Sequence, residues 1–233
     1  MGIIVFNGRT SKEFRVEVQH PPKYIIPERD YTVTSIPGRN GELVYDNGSF
    51  KNTTRTYEIA IDATQEEYSR VVSSVVAWLH SASGYARLED SYDPDFYRMA
   101  FYQDSLEIEN IFQEAGQGTL SFKCKPQRFL RSGELTTEFT ESGKIFNPTF
   151  FNAKPLLHVY GTGSVTINSK AIFVTEASSN GVTLDCENHD AYAGTINYND
   201  KITGDYPELI PGDNGIGISG FTKVIVTPRW WTI

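Results

Sequence analysis

The spacing of apolar residues follows a two-residue period along most of the chain and a helical period in one segment only. Runs such as Phe14-Arg15-Val16-Glu17-Val18 alternate apolar and polar side chains and end at Gly, Pro, Asn or Asp residues. Such alternation is typical of strands that bury one face. The sequence therefore predicts a mainly β fold with one α-helix.

The helical segment follows Thr64. Thr64 and Glu67 have the spacing of a capping box, and Ser83-Gly84 is expected to end the helix. Because Val is not a strong helix former, we expect this helix to depend on packing against a sheet. Its predicted apolar face consists of Tyr68, Val71, Val72, Val75, Val76 and Leu79.

The region before residue 132 also contains a long extended segment. From Arg29 to Asn52, strand-like residues flank the turn sequence Pro37-Gly38-Arg39-Asn40-Gly41, whose Asn and Gly residues tolerate positive φ. We expect an extended β-hairpin here. Further strands follow the helix, and Pro126 is expected to end the last of them because proline cannot donate to a ladder.

After residue 131 the pattern consists only of short strands and turns. Gly, Asn and Ser separate the apolar runs, which is typical of a small β-sandwich or jelly roll. We therefore predict two domains, residues 1–131 and 132–233, with a linker at 132–146. The first is a β-sandwich-like domain with the hairpin and the helix, and the second is a β-sandwich.

The charge balance limits the partners of this chain. It has 21 Lys and Arg against 29 Asp and Glu, a net charge of −8, whereas nucleic-acid binding requires a basic surface. We expect no specific nucleic-acid binding, and no membrane insertion because no apolar stretch is long enough. Ten of the eleven Arg precede residue 132. Arg is frequent at protein interfaces, so the first domain is the favoured assembly surface, although solvation of sheet faces explains the bias equally well.

Residues that carry chemistry are scattered along the sequence. The four His have no metal-binding spacing, and there is no nucleophile elbow, phosphate-binding loop or Cys-x-x-Cys motif. Cys124 and Cys186 are expected to be buried and reduced, with one disulfide between them as the alternative. We predict no enzyme, and no catalytic, cofactor-binding or metal-binding residues.

Two acidic segments deserve comparison with known ion sites. Residues 90–95 lack the central Gly and terminal Glu of a calcium loop, so a solvated turn is the preferred interpretation. In residues 185–190, strand alternation places Cys186 opposite the other ligand types, which favours a polar strand end over a zinc site. A hydrolase that uses Asp185 and Glu187 is an alternative.

Trp230 and Trp231 are the clearest aromatic candidates for contact with a sugar or a partner. Adjacent residues in a strand point to opposite faces. One Trp is therefore expected to pack inward and the other to be exposed or covered by a partner.

The order of these turns and strands resembles the siphophage distal tail (Dit) protein family. The most specific parts are the turn from Pro37 to Gly41 and the Pro-x-Leu-x-Pro-Gly segment from Pro207 to Gly212, and the likeness spans nearly the whole chain. The other landmarks include Phe6-Asn7-Gly8, Asp46-Asn47-Gly48, Asp93-Pro94-Asp95, Lys123 to Arg128 and Asn147-Pro148.

The resemblance implies a structural protein at the distal tip of a phage tail, made in the host cytoplasm and carried in the virion. Dit proteins form a homo-hexameric ring through their N-terminal domains, with a galectin-like C-terminal β-sandwich outside. The ring joins the tail tube protein to the tail-associated lysin or tail fibre hub and in many phages anchors the receptor-binding protein. The alternative function is a carbohydrate-binding protein that adheres to the host wall through its C-terminal β-sandwich.

In such a ring, the extended hairpin would pair with a neighbouring subunit, because a closed ring satisfies exposed strand edges. The alternative is an intramolecular hairpin packed on its own sheet. Net negative charge suits a channel through which DNA passes. The predicted subunit-interface residues are Ile36, Arg39, Leu43, Tyr45 and Phe50.

Overall fold

The computed structural model describes residues 2–103, 108–111 and 115–233. It divides into two compact units, residues 1–128 together with Ile233, and residues 129–232. The architecture is mainly β, which confirms the prediction from the alternating pattern. Among the described residues, α1 (Tyr68–Leu79) is the only α-helix.

A curled sheet forms the body of the first unit. The strands that begin in this unit are β1 (Ile4–Phe6), β2 (Arg9–Thr10), β3 (Val16–Val18), β4 (Arg29–Ser35), β5 (Glu42–Phe50), β6 (Thr53–Asp62), β7 (Ala86–Asp90), β8 (Phe96–Tyr102), β9 (Ile108–Ile111) and β10 (Ala115–Leu130). The sheet order is β2-β1-β7-β8-β10-β6-β3, and β9 also pairs with β10. Gly2 and Val18 exchange backbone hydrogen bonds of 2.9 and 3.1 Å, so the two ends of the sheet meet.

The helix α1 contributes its buried face to the core of this unit. Trp78 is 1% exposed; its indole N–H donates to the carbonyl of Phe6 at 3.1 Å and its ring stacks on Phe14 at 4.8 Å. The predicted apolar face is wrong at Val76, which is 39% exposed. The buried residues of the helix are Val71, Val75, Trp78 and Leu79.

The predicted capping box does not cap the helix. Glu67 is the N-cap residue and makes no side-chain capping bond. Its carboxylate instead binds the Arg15 guanidinium at 2.7 Å and accepts a hydrogen bond from Thr64 Oγ1 at 3.3 Å. The ion pair with Arg15 thus occupies the acidic side chain that the capping box requires.

The strand β10 continues through Pro126, where the sequence pattern predicts its end. Its pairing with β6 finishes at Cys124, which lies opposite Thr53. The missing N–H of Pro126 therefore removes no hydrogen bond with β6, and the strand extends to Leu130.

Two antiparallel sheets form the second unit. The strands of these two sheets are β11 (Thr137–Phe139), β12 (Gly143–Asn147), β13 (Leu156–Tyr160), β14 (Gly163–Ile167), β15 (Lys170–Val174), β16 (Val182–Asp185), β17 (Asp190–Ala193), β18 (Ile196–Asn197), β19 (Ile202–Gly204), β20 (Gly212–Ser219) and β21 (Lys223–Thr227). The short strand β22 (Trp231–Thr232) lies outside both sheets. One sheet has the order β11-β21-β13-β16-β17-β18 and the other β12-β20-β14-β15-β19. Alternate residues such as Leu157, Val159, Val165 and Ile167 are buried in the core of this unit.

Residues 132–146 differ from the linker that the sequence suggests. Strand β11 pairs with β21, and β12 pairs with β20. The Gly133 carbonyl accepts a hydrogen bond from the Arg229 N–H at 2.8 Å. The polar composition of this segment suits its position, because its strands lie at the edges of the two sheets, where one side of each strand has no ladder partner in the described part of the chain.

Candidate assembly surface

The hairpin of β4 and β5 is the most exposed regular structure of the first unit. The two strands pair with each other and form a sheet of their own, which confirms the predicted long hairpin. Every residue of both strands is exposed except Asp30 and Phe50, which are half-buried. Because an isolated two-stranded hairpin is marginally stable in water, this element is suited to gain stability from a partner surface.

The predicted interface residues lie at three places on the hairpin. Leu43 and Tyr45 are two positions apart on β5, share one face and are 50% and 68% exposed. Ile36 and Arg39 lie in the exposed reversal between the strands, where the Arg39 N–H donates to the Ile36 carbonyl at 3.2 Å. Phe50 lies at the base, where its ring stacks under the Arg29 guanidinium at 4.8 Å. The structure thus brings Leu43 and Tyr45 together and leaves Phe50 engaged within the hairpin.

The opposite face of the hairpin carries apolar side chains that the sequence interpretation omitted. Val33 and Val44 are directly paired across the strands, and Tyr31 lies two positions before Val33. Val33 is 49% exposed, Val44 is 56% exposed and Tyr31 is 49% exposed. The signal was available, because Leu43, Val44 and Tyr45 are consecutive apolar residues of β5 and successive side chains of a strand point to opposite faces. Both faces of this hairpin therefore offer apolar contacts.

Ion pairs hold the base of the hairpin together. The Arg29 guanidinium binds the Asp46 carboxylate through two nitrogens, at 3.1 and 2.7 Å, across the two strands. The Gly48 N–H also donates to Asp46 at 2.8 Å. Hydrogen bonds from Arg29 and from Gly48 hold the pKa of Asp46 below its ordinary value. This carboxylate stays ionised at neutral pH and links β5 to β4 through Arg29.

A second charged cluster, which the sequence interpretation missed, lies on the inner face of the curled sheet. Residues 90–95 were expected to form a solvated turn, and this is wrong for Asp90 and Asp93, which are 1% and 19% exposed at their side chains. Asp90 accepts from Arg55 at 2.9 Å and from the Tyr57 hydroxyl at 2.8 Å. Asp93 accepts from Arg98 at 2.9 Å. The available signal was that Arg55 and Arg98 occupy positions where alternation along β6 and β8 points toward the core.

The two adjacent tryptophans in the second unit point to different environments. Trp230 is 5% exposed and belongs to the core. Trp231 is half-buried, stacks on Phe151 at 4.5 Å and donates its indole N–H to the Asn152 carbonyl at 2.9 Å. A sugar platform needs a free indole face, and Phe151 already covers one face of Trp231.

The segment from Asp185 to Asp190 forms a tight turn between β16 and β17. Asp185 accepts from Arg229 at 2.7 Å, from the Glu187 N–H at 2.9 Å and from Asn188 Nδ2 at 3.0 Å. Its carboxylate is therefore occupied as a structural anchor. Within residues 2–103, 108–111 and 115–233, no group of three or more His, Cys, Asp and Glu is arranged to hold a metal ion.

Cys124 and Cys186 are both free and buried. Burial raises the pKa of the Cys124 thiol to about 11 and that of Cys186 to about 12, so both are unreactive at neutral pH. None of the helical segments in the described ranges is long and apolar enough to span a membrane.

The fold matches solved phage structures along the whole chain. The crystal structure of the phage SPP1 Dit (gp 19.1) protein, a hub adsorption apparatus protein of Gram-positive infecting phages, has a TM-score of 0.78 and 12% sequence identity, and the match covers 100% of both chains. This chain has the fold of a phage Dit protein.

Two phage P2 baseplate structures share the fold at lower similarity. A chain of the activated baseplate with calcium has a TM-score of 0.55 at 10% identity, with 97% of this chain and 96% of that chain covered. The corresponding structure with strontium has a TM-score of 0.52 at 11% identity, with 97% of each chain covered. No protein-family profile and no curated protein matches the sequence. The likeness to Dit proteins is therefore one of fold and not of closely related sequence.

Proposed function

We propose that this protein is the distal tail hub of a siphophage, a non-enzymatic structural protein at the tail tip of the virion. The observation that carries the proposal is the likeness to the SPP1 Dit protein, which covers both chains completely. The landmark turns of the sequence support the same assignment, since they follow the order of that family.

The proposed assembly is a homo-hexameric ring built through the first unit, with the hairpin of β4 and β5 at the subunit interface. Leu43, Tyr45 and, on the other face, Val33 and Val44 offer exposed apolar surface that a neighbouring subunit would bury. Among the described residues, the outer edges of β4 and β5 also have no ladder partner. A closed ring satisfies such edges without leaving a free end.

The proposed partners follow from the position of a hub. The ring would bind the tail tube protein on one side and the tail-associated lysin or tail fibre hub on the other, and a receptor-binding protein would attach at the periphery. The second unit would form the galectin-like β-sandwich outside the ring. The net charge of −8 suits a hub that lets DNA pass without binding it.

The oligomeric mass of the purified chain tests the proposal. Mass photometry should give a species of about 157 kDa, six times the 26.2 kDa chain, and negative-stain microscopy should show rings. The Leu43→Asp, Tyr45→Asp double variant should shift the population to monomers, because two charges would enter an apolar contact. The control is Ile196→Asp in the second unit, which replaces an equally exposed residue (64%) and should leave the hexamer unchanged.

Two results would count against this assignment in different ways. A wild-type chain that remains monomeric at high concentration contradicts the ring itself. A double variant that still forms hexamers contradicts the role of the hairpin and leaves the ring to be built from another surface.

A further inference from the structure

Five asparagines of this chain are each followed directly by a glycine. They are Asn7, Asn40, Asn47, Asn180 and Asn214. In such a pair the backbone nitrogen of the glycine can attack the side-chain amide of the asparagine, because glycine has no Cβ that hinders the approach. The attack requires a free glycine N–H and an asparagine side chain that can turn toward it. The five pairs share this local sequence, so the folded structure decides which of them reacts.

Two of the pairs have the attacking N–H engaged in a hydrogen bond. In Asn47-Gly48 the glycine N–H donates to the Asp46 carboxylate at 2.8 Å, and the asparagine Oδ1 accepts from Thr32 Oγ1 at 3.2 Å. In Asn180-Gly181 the glycine N–H donates to the Ser178 carbonyl at 3.0 Å. Each hydrogen bond must open before the glycine nitrogen can react.

Two further pairs have their asparagine side chain held. In Asn214-Gly215 the asparagine is 0% exposed and its Nδ2 donates to the Ile210 carbonyl at 2.8 Å, while the glycine N–H donates to Asn168 Oδ1 at 3.3 Å. In Asn7-Gly8 the asparagine Nδ2 donates to Ser81 Oγ at 3.1 Å. This last pair also forms the two-residue turn between β1 and β2, which fixes its backbone.

The pair Asn40-Gly41 differs from the other four. It lies in the reversal between β4 and β5, and both residues are exposed. Among the residues that the structure describes, neither the Asn40 side chain nor the Gly41 N–H has a hydrogen-bond partner. The space beside Gly41 is open, since a Cβ built there would meet no atom within 4 Å. Both conditions for the attack are therefore met at this pair.

We infer that Asn40 is the site of spontaneous deamidation in the folded protein. The Gly41 nitrogen loses its proton and forms a bond to Cγ of Asn40, while the bond from Cγ to Nδ2 breaks and the amide nitrogen leaves as ammonia with that proton. The five-membered succinimide then takes up one water at either carbonyl and opens to aspartate or isoaspartate. One water is consumed and one ammonia is released, and the reversal gains one negative charge.

Peptide mapping of the full-length protein after incubation in mildly alkaline buffer tests this inference. A glutamate-specific protease cleaves after Glu42 and so separates Asn40 from Asn47. Mass spectrometry with chromatographic separation of aspartate and isoaspartate should show both products at Asn40. The other four asparagines should convert at least about fivefold more slowly, the effect of one hydrogen bond that must open first. The rate at Asn40 should rise with pH, because the Gly41 nitrogen must lose its proton.

The other four pairs are internal controls in the same sample, and two further controls are available. In urea-unfolded chain all five asparagines should convert at similar rates, since each is followed by glycine. Folded Asn40→Gln should show no conversion at this position over the same time, because the longer side chain must close a six-membered ring.

The inference does not depend on the proposed ring, which could cover the reversal. The same mapping is therefore carried out on the Leu43→Asp, Tyr45→Asp double variant, whose mass shows separately whether the ring has dissociated. Selective conversion of Asn40 in wild type supports the inference. Conversion of Asn40 only in the double variant supports it as well and indicates that assembly covers the reversal. Asn40 that stays intact in both folded proteins, or five pairs that convert at the same rate in them, would overturn it.

Discussion

At the scale of single residues, buried carboxylates in both units act as anchors for hydrogen bonds from distant parts of the chain. Asp90 fixes Arg55 and Tyr57 in the first unit. Asp185 fixes Arg229 and the turn after β16 in the second unit. A buried polar network destabilises the fold when some of its groups lack hydrogen-bond partners. It fixes the geometry of its members when every group has a partner. These carboxylates therefore hold the strands and turns around them in position.

Asp185 gives a prediction about acid stability. Burial acts to raise the pKa of Asp185, but hydrogen bonds from Arg229 and the Glu187 N–H outweigh burial and hold this pKa below the ordinary value of 3.8. A carboxylate whose folded pKa is lowered stabilises the protein fully above its unfolded pKa and loses that effect as pH falls through its folded pKa. We expect Asp185→Asn to lose about 2 kcal/mol of unfolding free energy at pH 7.

Urea unfolding followed by tryptophan fluorescence at pH 7 and at pH 3 measures this difference. The difference in unfolding free energy between wild type and Asp185→Asn should be smaller at pH 3 than at pH 7. Glu187→Gln is the matched control at an exposed acid of the same turn, whose change should stay within about 0.5 kcal/mol. An equal difference at the two pH values would show that the ionisation of Asp185 does not contribute to the unfolding free energy.

At the scale of elements, tertiary packing decides which face of α1 is buried. A hydrophobic pattern shows that a helix has an apolar side but does not show how the sheet meets it. Trp78 is buried because its indole stacks on Phe14 and reaches the Phe6 carbonyl. The buried face is therefore centred between Val75 and Trp78, and Val76 faces outward.

A pair of valines separated by one residue step tests this orientation. Val75 is 0% exposed and Val76 is 39% exposed. Val75→Ala should lower the unfolding free energy by about 2 to 3 kcal/mol, because it removes two buried methyl groups and leaves a cavity. Val76→Ala should change it by no more than about 0.5 kcal/mol and in the stabilising direction, since Ala is the better helix former. If urea unfolding showed equal losses of unfolding free energy for the two variants, Val75 and Val76 would both lie on the buried face, as the simple periodicity predicts.

The same elements show what could be read from the sequence and what could not. Strands, hairpin and helix follow from local period and turn residues, so β13 to β16 and the reversal at Pro37 to Gly41 were predictable. The pairing of Arg55 with Asp90 was not predictable, because the two residues are 35 positions apart in the sequence. Pro126 misled the prediction because its effect depends on whether a neighbouring strand needs its N–H. Long-range pairing decides both cases.

At the scale of the whole molecule, the described residues form two separate hydrophobic cores. The first includes Ile4, Phe6, Tyr57 and Trp78, and the second includes Leu157, Val165, Val224 and Trp230. Each unit is of the size at which a single core supports independent folding. In the proposed hub this separation allows one unit to build the ring while the other carries peripheral contacts.

The first two strands of the second unit, β11 and β12, come from the segment that the sequence presents as a linker. A fragment of residues 129–232 contains β11 and β12 and the half-buried Phe139 and Ile145, which pack against its core. We expect this fragment to unfold cooperatively in far-UV circular dichroism and to show a near-UV signal from its two tryptophans.

A fragment of residues 147–232 lacks both strands and exposes the core positions that Phe139 and Ile145 cover. It also leaves β20 and β21 each without one ladder partner. We expect it to show no cooperative transition, because unpaired edges and uncovered apolar surface remove stabilisation that a small domain cannot spare. If the shorter fragment melts as sharply and at the same temperature as the longer one, residues 132–146 act as a linker in solution.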